Sequence, residues 1–321
     1  WWVQPDCNIP CGESFARQSL YGKRYFAEKF GVDVTVGYNV DSFGHNAMLP
    51  QILRLSGMHS YVFMRPGKHE KPDLPSRLFT WESPDGSQVT TFGITGEYGT
   101  WGNSLEQKLQ QFMDQVSDTY PIVMCFYGVG NHGGGPTKEN LAIIEREMTA
   151  AAADPAKPEV LFGDPVSFFS VANTLTNLPV VHDELQHHAS GCYAVESEIK
   201  ANNRRSEHAL ATAEKLAVAA GVLAGFPYPL TELAQGWKAV LFNQFHDIMA
   251  GTSISEAYYD ARNLHGQALQ IATEIQAFAL QSLAATVDLT AAGLPIVVFN
   301  PHSYRRVGPV ELELHAYSGE L

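Results

Sequence analysis

The segment that most limits the fold is V32-D-V-T-V-G-Y-N-V-D41, where Val, Val, Val, Tyr and Val take the even positions and Asp, Thr, Gly, Asn and Asp the odd ones. A strict period of two belongs to a β-strand, whose side chains alternate between faces, and not to a helix. A helical pattern over 13–30 precedes it, with Phe15, Phe26 and Phe30 among charged residues and Gly31 as its stop. The helical segment A47-M-L-P-Q-I-L-R-L-S-G57 follows, with Pro50 tolerable in its first turn. A strand between helices is usually apolar on both faces, so the polar odd positions are expected to line a cavity. Asp41 ends that face at the strand's carboxyl end, where α/β folds place their chemistry.

The alternation continues. Strands are predicted near 61–64, 78–81, 89–94, 122–127, 160–162 and 180–181, with helices near 105–116, after the Gly-rich turn, and after residue 162. From about Lys200 long Ala/Leu-rich segments follow one another with short breaks such as F226-P-Y-P-L230, which predicts a packed set of three or so helices. Near Pro295 the pattern turns to strand again. The expected division is an α/β unit over 1–190, a helical unit over 191–288 and the start of a β-rich unit over 289–321.

At 321 residues the chain exceeds the roughly 250–300 at which single cores stop growing, so more than one unit is expected. A formal charge of −13 argues against nucleic acid and anionic membrane surfaces, both of which need a positive face. Cys7, Cys11, Cys125 and Cys192 make no disulfide framework and no zinc ribbon, and are expected to be reduced thiols. No run of 18 apolar residues occurs, so no membrane span is expected. A cytoplasmic location is the expectation, with export left open because the chain starts without Met, as if cut from something longer.

Four segments could carry chemistry. N39-V-D-S-F-G-H45 sets a carboxylate, an imidazole and a Gly at a strand exit, suited to a nucleophile or metal ligand; a helix-capping Asp beside a surface His fits equally. F242-N-Q-F-H-D-I-M-A-G-T252 is read as late helix, with His246 about 140° from Leu241 and about 180° from Trp237, off the packing face. His beside Asp suits a metal site; a solvated His near a helix end is the alternative. G128-V-G-N-H-G-G-G-P-T-K138 lacks the Lys-Ser/Thr ending of a phosphate loop, and its glycines suggest a close backbone approach or a plain turn. D183-E-L-Q-H-H-A-S-G-C-Y193 could edge the cavity or serve as a hydrated linker.

Taken together these strings resemble glycoside hydrolase family 38, the retaining α-mannosidases, and its bacterial-type members above all. The match includes W-V-Q-P-D-C-N-I-P-C-G-E-S, N-V-D-S-F-G-H-N-A-M-L-P-Q-I-L, Y-G-V-G-N-H-G-G-G-P-T, K-A-N-N-R-R-S-E-H-A-L, N-Q-F-H-D-I-M-A-G-T-S and V-V-F-N-P, in family order. The resemblance implies an α/β fold with a seven-stranded barrel-like catalytic domain, then a three-helix bundle, then a β-sandwich of which only the start is present. It implies that Asp41 is both nucleophile and zinc ligand, that His246 is a second ligand, and that Asp247 holds sugar hydroxyls. Arg65, Trp81 and Glu82 fall where the family has substrate contacts, and Asn131 and His132 lie in the turn that borders the substrate.

The implied substrates are mannose-containing oligosaccharides, cleaved through a covalent glycosyl-enzyme with the ion on the sugar hydroxyls. A homo-oligomer stays open. The family's other two ligands sit in an H-x-D segment upstream of W-V-Q-P-D, so two of four are expected here, with weak zinc binding and little activity from the chain alone. Many relatives have Asp where this chain has Asn131-His132, which leaves the proton donor to His132 or a carboxylate such as Glu82. Two other readings compete: a metal phosphohydrolase built on His182-Asp and His246-Asp, and a mannose-binding fragment without turnover.

Overall fold

A computed structural model describes residues 1–101, 104–130, 134–186, 188–290, 293, 295–311 and 313. Gly12–Phe30 forms α1, Val36–Asn39 β1, Leu49–Leu55 α2, Ser60–Phe63 β2, Leu78–Glu82 β3 and Gln88–Gly93 β4. Ser104–Met113 forms α3, Lys138–Ala153 α4, Pro165–Ala172 α5 and Val180–Val181 β5. A 3₁₀ turn at Ser190–Ala194 leads to α6 (Ser197–Ala224), α7 (Leu230–Asn243), the short α8 (His246–Ala250) and α9 (Ser255–Ala284). Local chemistry sets several ends: Gly31 closes α1 at φ 66°, a conformation only Gly adopts without strain, and Thr137 and Asn140 make a reciprocal cap on α4.

Among the described residues the sheet has five strands in the order β1-β2-β4-β3-β5. The expected count was seven. Strands β1, β2 and β4 run parallel, so their carboxyl ends share one edge; β3 is antiparallel to β4 and parallel to β5. Residues 122–127 and 160–162, expected as strands, carry none. Ile122, Met124 and Phe126 do pack on one apolar cluster and Cys125 and Tyr127 on another, as a strand's side chains would. Apolar alternation reports which side chains are covered, and ladder bonding is a separate condition.

The polar face of β1 departs from expectation in a similar way. Gly37 lies under α2 and β2, where a Cβ would stand 2.5 Å from Leu53 Cδ2 and 2.8 Å from Tyr61 Cδ2. Asn39 is fully buried; its Oδ1 accepts from Trp1 Nε1 and its Nδ2 donates to the Pro5 carbonyl and Ser42 Oγ. Gly37 and Asn39 are therefore packed or hydrogen-bonded, Asp33 stands in solvent paired with Lys23, and Asp41 at the strand's exit is partly open.

Helices α6, α7 and α9 share a core of Leu210, Ala213, Ala217, Leu233, Trp237, Val240, Ala268, Ala272 and Ile275. They join the sheet-bearing part through the buried carboxylate of Glu207. It accepts from Cys11 N at 2.9 Å, Ser14 Oγ at 2.6 Å, Gln244 Nε2 at 3.1 Å and Arg204 Nη1 at 2.6 Å. Described residues from 289 onward form no strand, and Ile296 and Val298 are exposed. No helix among the described residues is long and apolar enough to cross a membrane.

Candidate active site

The parallel trio delivers three groups to one edge. Asp41 follows β1, Arg65 follows β2 and Tyr98 follows β4. Arg65 Nη2 stands 2.9 Å from Asp41 Oδ1, and the Tyr98 hydroxyl donates to Asp41 Oδ2 at 3.3 Å. Burial, then the neighbouring Asp41 carboxylate, raises the Tyr98 pKa above the ordinary phenol value, which keeps that hydroxyl a donor. Asp41 Oδ1 is buried yet has no donor in hydrogen-bond alignment, the Arg65 contact being an ion pair off that geometry.

His246 completes the cluster from the helical side. Its position late in a helix, off the packing face, is corrected: α7 ends at Asn243, a turn through Gln244 and Phe245 intervenes, and His246 opens α8 with 4% exposure. The cause lies in the first residues of the chain. Asp6 N donates to the Gln244 carbonyl at 2.8 Å and Pro5 bridges Phe245, which draws the turn against that segment. His246 Nδ1 then lies 3.0 Å from the Gln4 carbonyl, which can only accept, so Nδ1 carries the proton and Nε2 the lone pair. Nε2 stands 3.9 Å from Asp41 Oδ2 and 3.8 Å from Asp247 Oδ2. Gln4 also accepts from Val40 N through its side chain, so one residue ties the end of β1 to His246.

Two metal–ligand bonds of about 2.0–2.2 Å span at most roughly 4.2 Å, so Asp41 and His246 lie within reach of one small cation. Asp41 Oδ2, the Nε2 of His246 and the carboxylate of Asp247, steadied by Thr252 Oγ1 at 2.6 Å, are the donor set such an ion takes. Among the described residues no group of three or more His, Cys, Asp and Glu converges closely enough to hold a metal by itself. The residues fit as part of a shell.

Other expected contacts fall elsewhere. Trp81 is fully buried with its Nε1 on the Asp183 carbonyl, and Glu82 meets Gln88 and His182. Both end β3, where Glu82 pairs with Gln88 at the start of β4, the opposite end of that ladder from the edge bearing Tyr98. Asn131 and His132 lie outside the described residues. The glycines beside them make a close backbone approach: a Cβ on Gly134 would stand 1.8 Å from the Val129 carbonyl oxygen, and one on Gly99 3.2 Å from that of Gly128. His45 is a core residue and not a surface one, with Nε2 on the Arg65 carbonyl and Nδ1 on Tyr61 Oη, and burial lowers its pKa to about 4.

The residues that sequence reasoning missed are Tyr98, Phe43, Gln4 and Glu70. Tyr98 follows the same strand-exit rule as Asp41. Phe43 is buried with its ring against His246, His188 and the Arg65 guanidinium. No pattern in the sequence singles out Gln4 or Glu70.

The sequence profile of the glycosyl hydrolases family 38 N-terminal domain matches residues 1–190, and that of the alpha mannosidase middle domain matches 187–283. The chain is 33% identical over 273 residues to Alpha-mannosidase G of Dictyostelium discoideum, covering 84% of this chain and 24% of that protein. It is 30% identical over 282 residues to human Alpha-mannosidase 2C1, covering 84% of this chain and 26% of that protein. It thus spans about a quarter of the length of these curated relatives. The crystal structure of an alpha-mannosidase from Enterococcus faecalis V583 superposes with a TM-score of 0.75 at 21% identity, over 88% of this chain and 33% of that one, a likeness of fold.

Proposed function

The chain belongs to glycosyl hydrolase family 38, and from that premise we propose that it carries the nucleophile-bearing part of a retaining α-mannosidase acting on mannose-containing glycans. One observation carries this reading: a strand-exit carboxylate and an imidazole distant in sequence stand 3.9 Å apart, with the imidazole lone pair aimed into the gap. Zinc is the ion we assign to Asp41 and His246, with Asp247 beside them; when bound it supplies an electrostatic anchor for sugar hydroxyls.

The chain's own groups then have distinct tasks. Arg65 and Tyr98 hold the Asp41 carboxylate in one orientation. Asp41 attacks the anomeric carbon as the glycosidic C–O bond breaks, and the leaving oxygen takes a proton from an acid. The product is a glycosyl ester on Asp41. That acid, now a base, takes a proton from water, which adds to the anomeric carbon and frees the carboxylate, so configuration is retained. Asp247 accepts a hydrogen bond from a ring hydroxyl. We assign the acid to His132, the titratable group in the Gly-rich turn, since Glu82 meets Gln88 and His182 instead.

The test is a calorimetric titration of methyl α-mannoside into the chain with and without zinc, repeated with D41A and H246A. The reading expects sugar binding that needs zinc and disappears in both variants. Binding indifferent to the ion and to both substitutions would overturn it.

A further inference from the structure

A line of contacts runs back from Asp41 through residues that hold neither ion nor sugar in the reading above. Arg65 Nη2 meets Asp41 Oδ1 at 2.9 Å, Arg65 Nη1 meets His188 Nε2 at 2.9 Å, and His188 Nδ1 meets Glu70 Oε1 at 2.5 Å. A guanidinium has donors and no acceptor, so His188 Nε2 must present a lone pair to Arg65. The ring proton then sits on Nδ1 and is donated to Glu70. The other Glu70 oxygen accepts from Gly67 N at 2.8 Å, so both carboxylate oxygens are committed. Burial raises the Glu70 pKa, but the Gly67 amide and the His188 ring outweigh it and hold the acid form below its ordinary range.

The packing around this line is specific as well. Phe43 packs T-shaped against the His188 ring at 5.4 Å between centroids, and the Arg65 guanidinium lies over its face at 5.6 Å. A lone, partly exposed ion pair contributes little, because two long side chains must be immobilised for a screened attraction. A guanidinium anchored at a second nitrogen is pre-organised for the first.

We propose that Glu70 and His188 are positioning residues, which fix the Arg65 guanidinium so that its second nitrogen holds Asp41 Oδ1 in the orientation for attack. The inference rests on the reading of Asp41 as nucleophile. His188 belongs to a segment whose alternative role was a hydrated linker, and nothing else assigns it a task.

Two measurements test it. In the [15N]histidine- and [15N]arginine-labelled chain at pH 8, His188 is expected as the Nδ1–H tautomer and the Arg65 guanidinium as slowly rotating, with rotation released in H188A and E70A. An Nε2–H ring, or an unchanged Arg65 in both variants, overturns the proposal. In the mannoside titration with zinc, H188A is expected to bind about tenfold more weakly, the size of one hydrogen bond to a charged group. H188Q, whose side-chain carbonyl can accept from Arg65, should recover most of that affinity. Equal losses in H188A and H188Q at unchanged thermal midpoint overturn positioning. A wild-type chain that binds no mannoside counts against the proposed function, and the tautomer and the Arg65 rotation still decide the role of His188.

Discussion

His246 Nε2 faces Asp41 Oδ2 at 3.9 Å while its other nitrogen donates to the Gln4 carbonyl, so the neutral imidazole presents its lone pair to the carboxylate. A lone pair and a carboxylate held at this separation are placed to share a small cation. We therefore expect zinc to bind the chain, but weakly, since affinity rises with the number of preset donors. Equilibrium dialysis should show H246A and D41A each lowering that affinity at least tenfold, and tight stoichiometric uptake by wild type would contradict the partial shell.

A second expectation concerns Glu207. Its carboxylate takes four donors, from Cys11 at the start of α1, from Ser14 in α1, from α6 and from the turn after α7, so its removal takes the acceptor from the Cys11 amide and the buried Ser14 hydroxyl at once. Breaking a buried charged cluster costs about 3–5 kcal/mol. E207A should lower the urea unfolding free energy by an amount in that range. E207Q, which keeps the acceptor toward Cys11 and Ser14, should cost less.

Those residues also explain which parts of the fold were legible. The C-G-E-S, N-N-R-R-S-E and N-Q-F-H-D strings converge on Glu207 and His246, and they stand out because buried polar networks need particular atoms at particular places. The alternation of 32–41 located β1, and its exit located Asp41. Strand direction was not legible: β3 reads as a strand, but nothing local says that it runs opposite to β4, which carries Glu82 to the far end of their ladder. The break before His246 was hidden for a related reason, since Pro5 and Asp6, remote in sequence, cause it.

A third expectation is a loss of stability in mild acid. Burial lowers the pKa of His45 and of His265 from 6.5 to about 4. Between those values the unfolded chain binds more protons than the folded one, so each contribution is complete above pH 6.5 and declines as pH falls toward 4. The upper bound is roughly 3 kcal/mol for each. Asp6, whose pKa burial raises above its ordinary 3.8, acts in the opposite sense in the range that starts at that value and extends upward. His265 Nδ1 meets Ser206 Oγ at 3.1 Å while its Nε2 has no partner, so H265L removes a titrating group, and the loss of the Ser206 contact lowers stability without altering its slope against pH. Urea midpoints against pH should fall less steeply from 6.5 to 4 in H265L than in wild type, and parallel curves would refute the assignment.

The Gly-rich turn supplies a comparison between neighbours. At Gly134 an added Cβ would stand 1.8 Å from the Val129 carbonyl oxygen and 2.6 Å from its carbon, both backbone atoms that cannot rotate away. The same turn is closed by Val129 N donating to the Gly135 carbonyl at 2.9 Å, so relief of the clash would open that bond. At Gly135 nothing lies within 4 Å of the added atom, and its φ is not in the left-handed region. Overpacking of this kind costs about 1–3 kcal/mol, whereas an Ala with free space stays within roughly 0.5 kcal/mol. G134A should therefore be destabilised in urea and G135A should not. Since Gly130 packs beside Tyr98, the hydroxyl of which contacts Asp41, G134A should also weaken mannoside binding, with G135A again near wild type. Equal behaviour of the two variants in both measurements would show that the close approach of the two backbone segments does not constrain the turn.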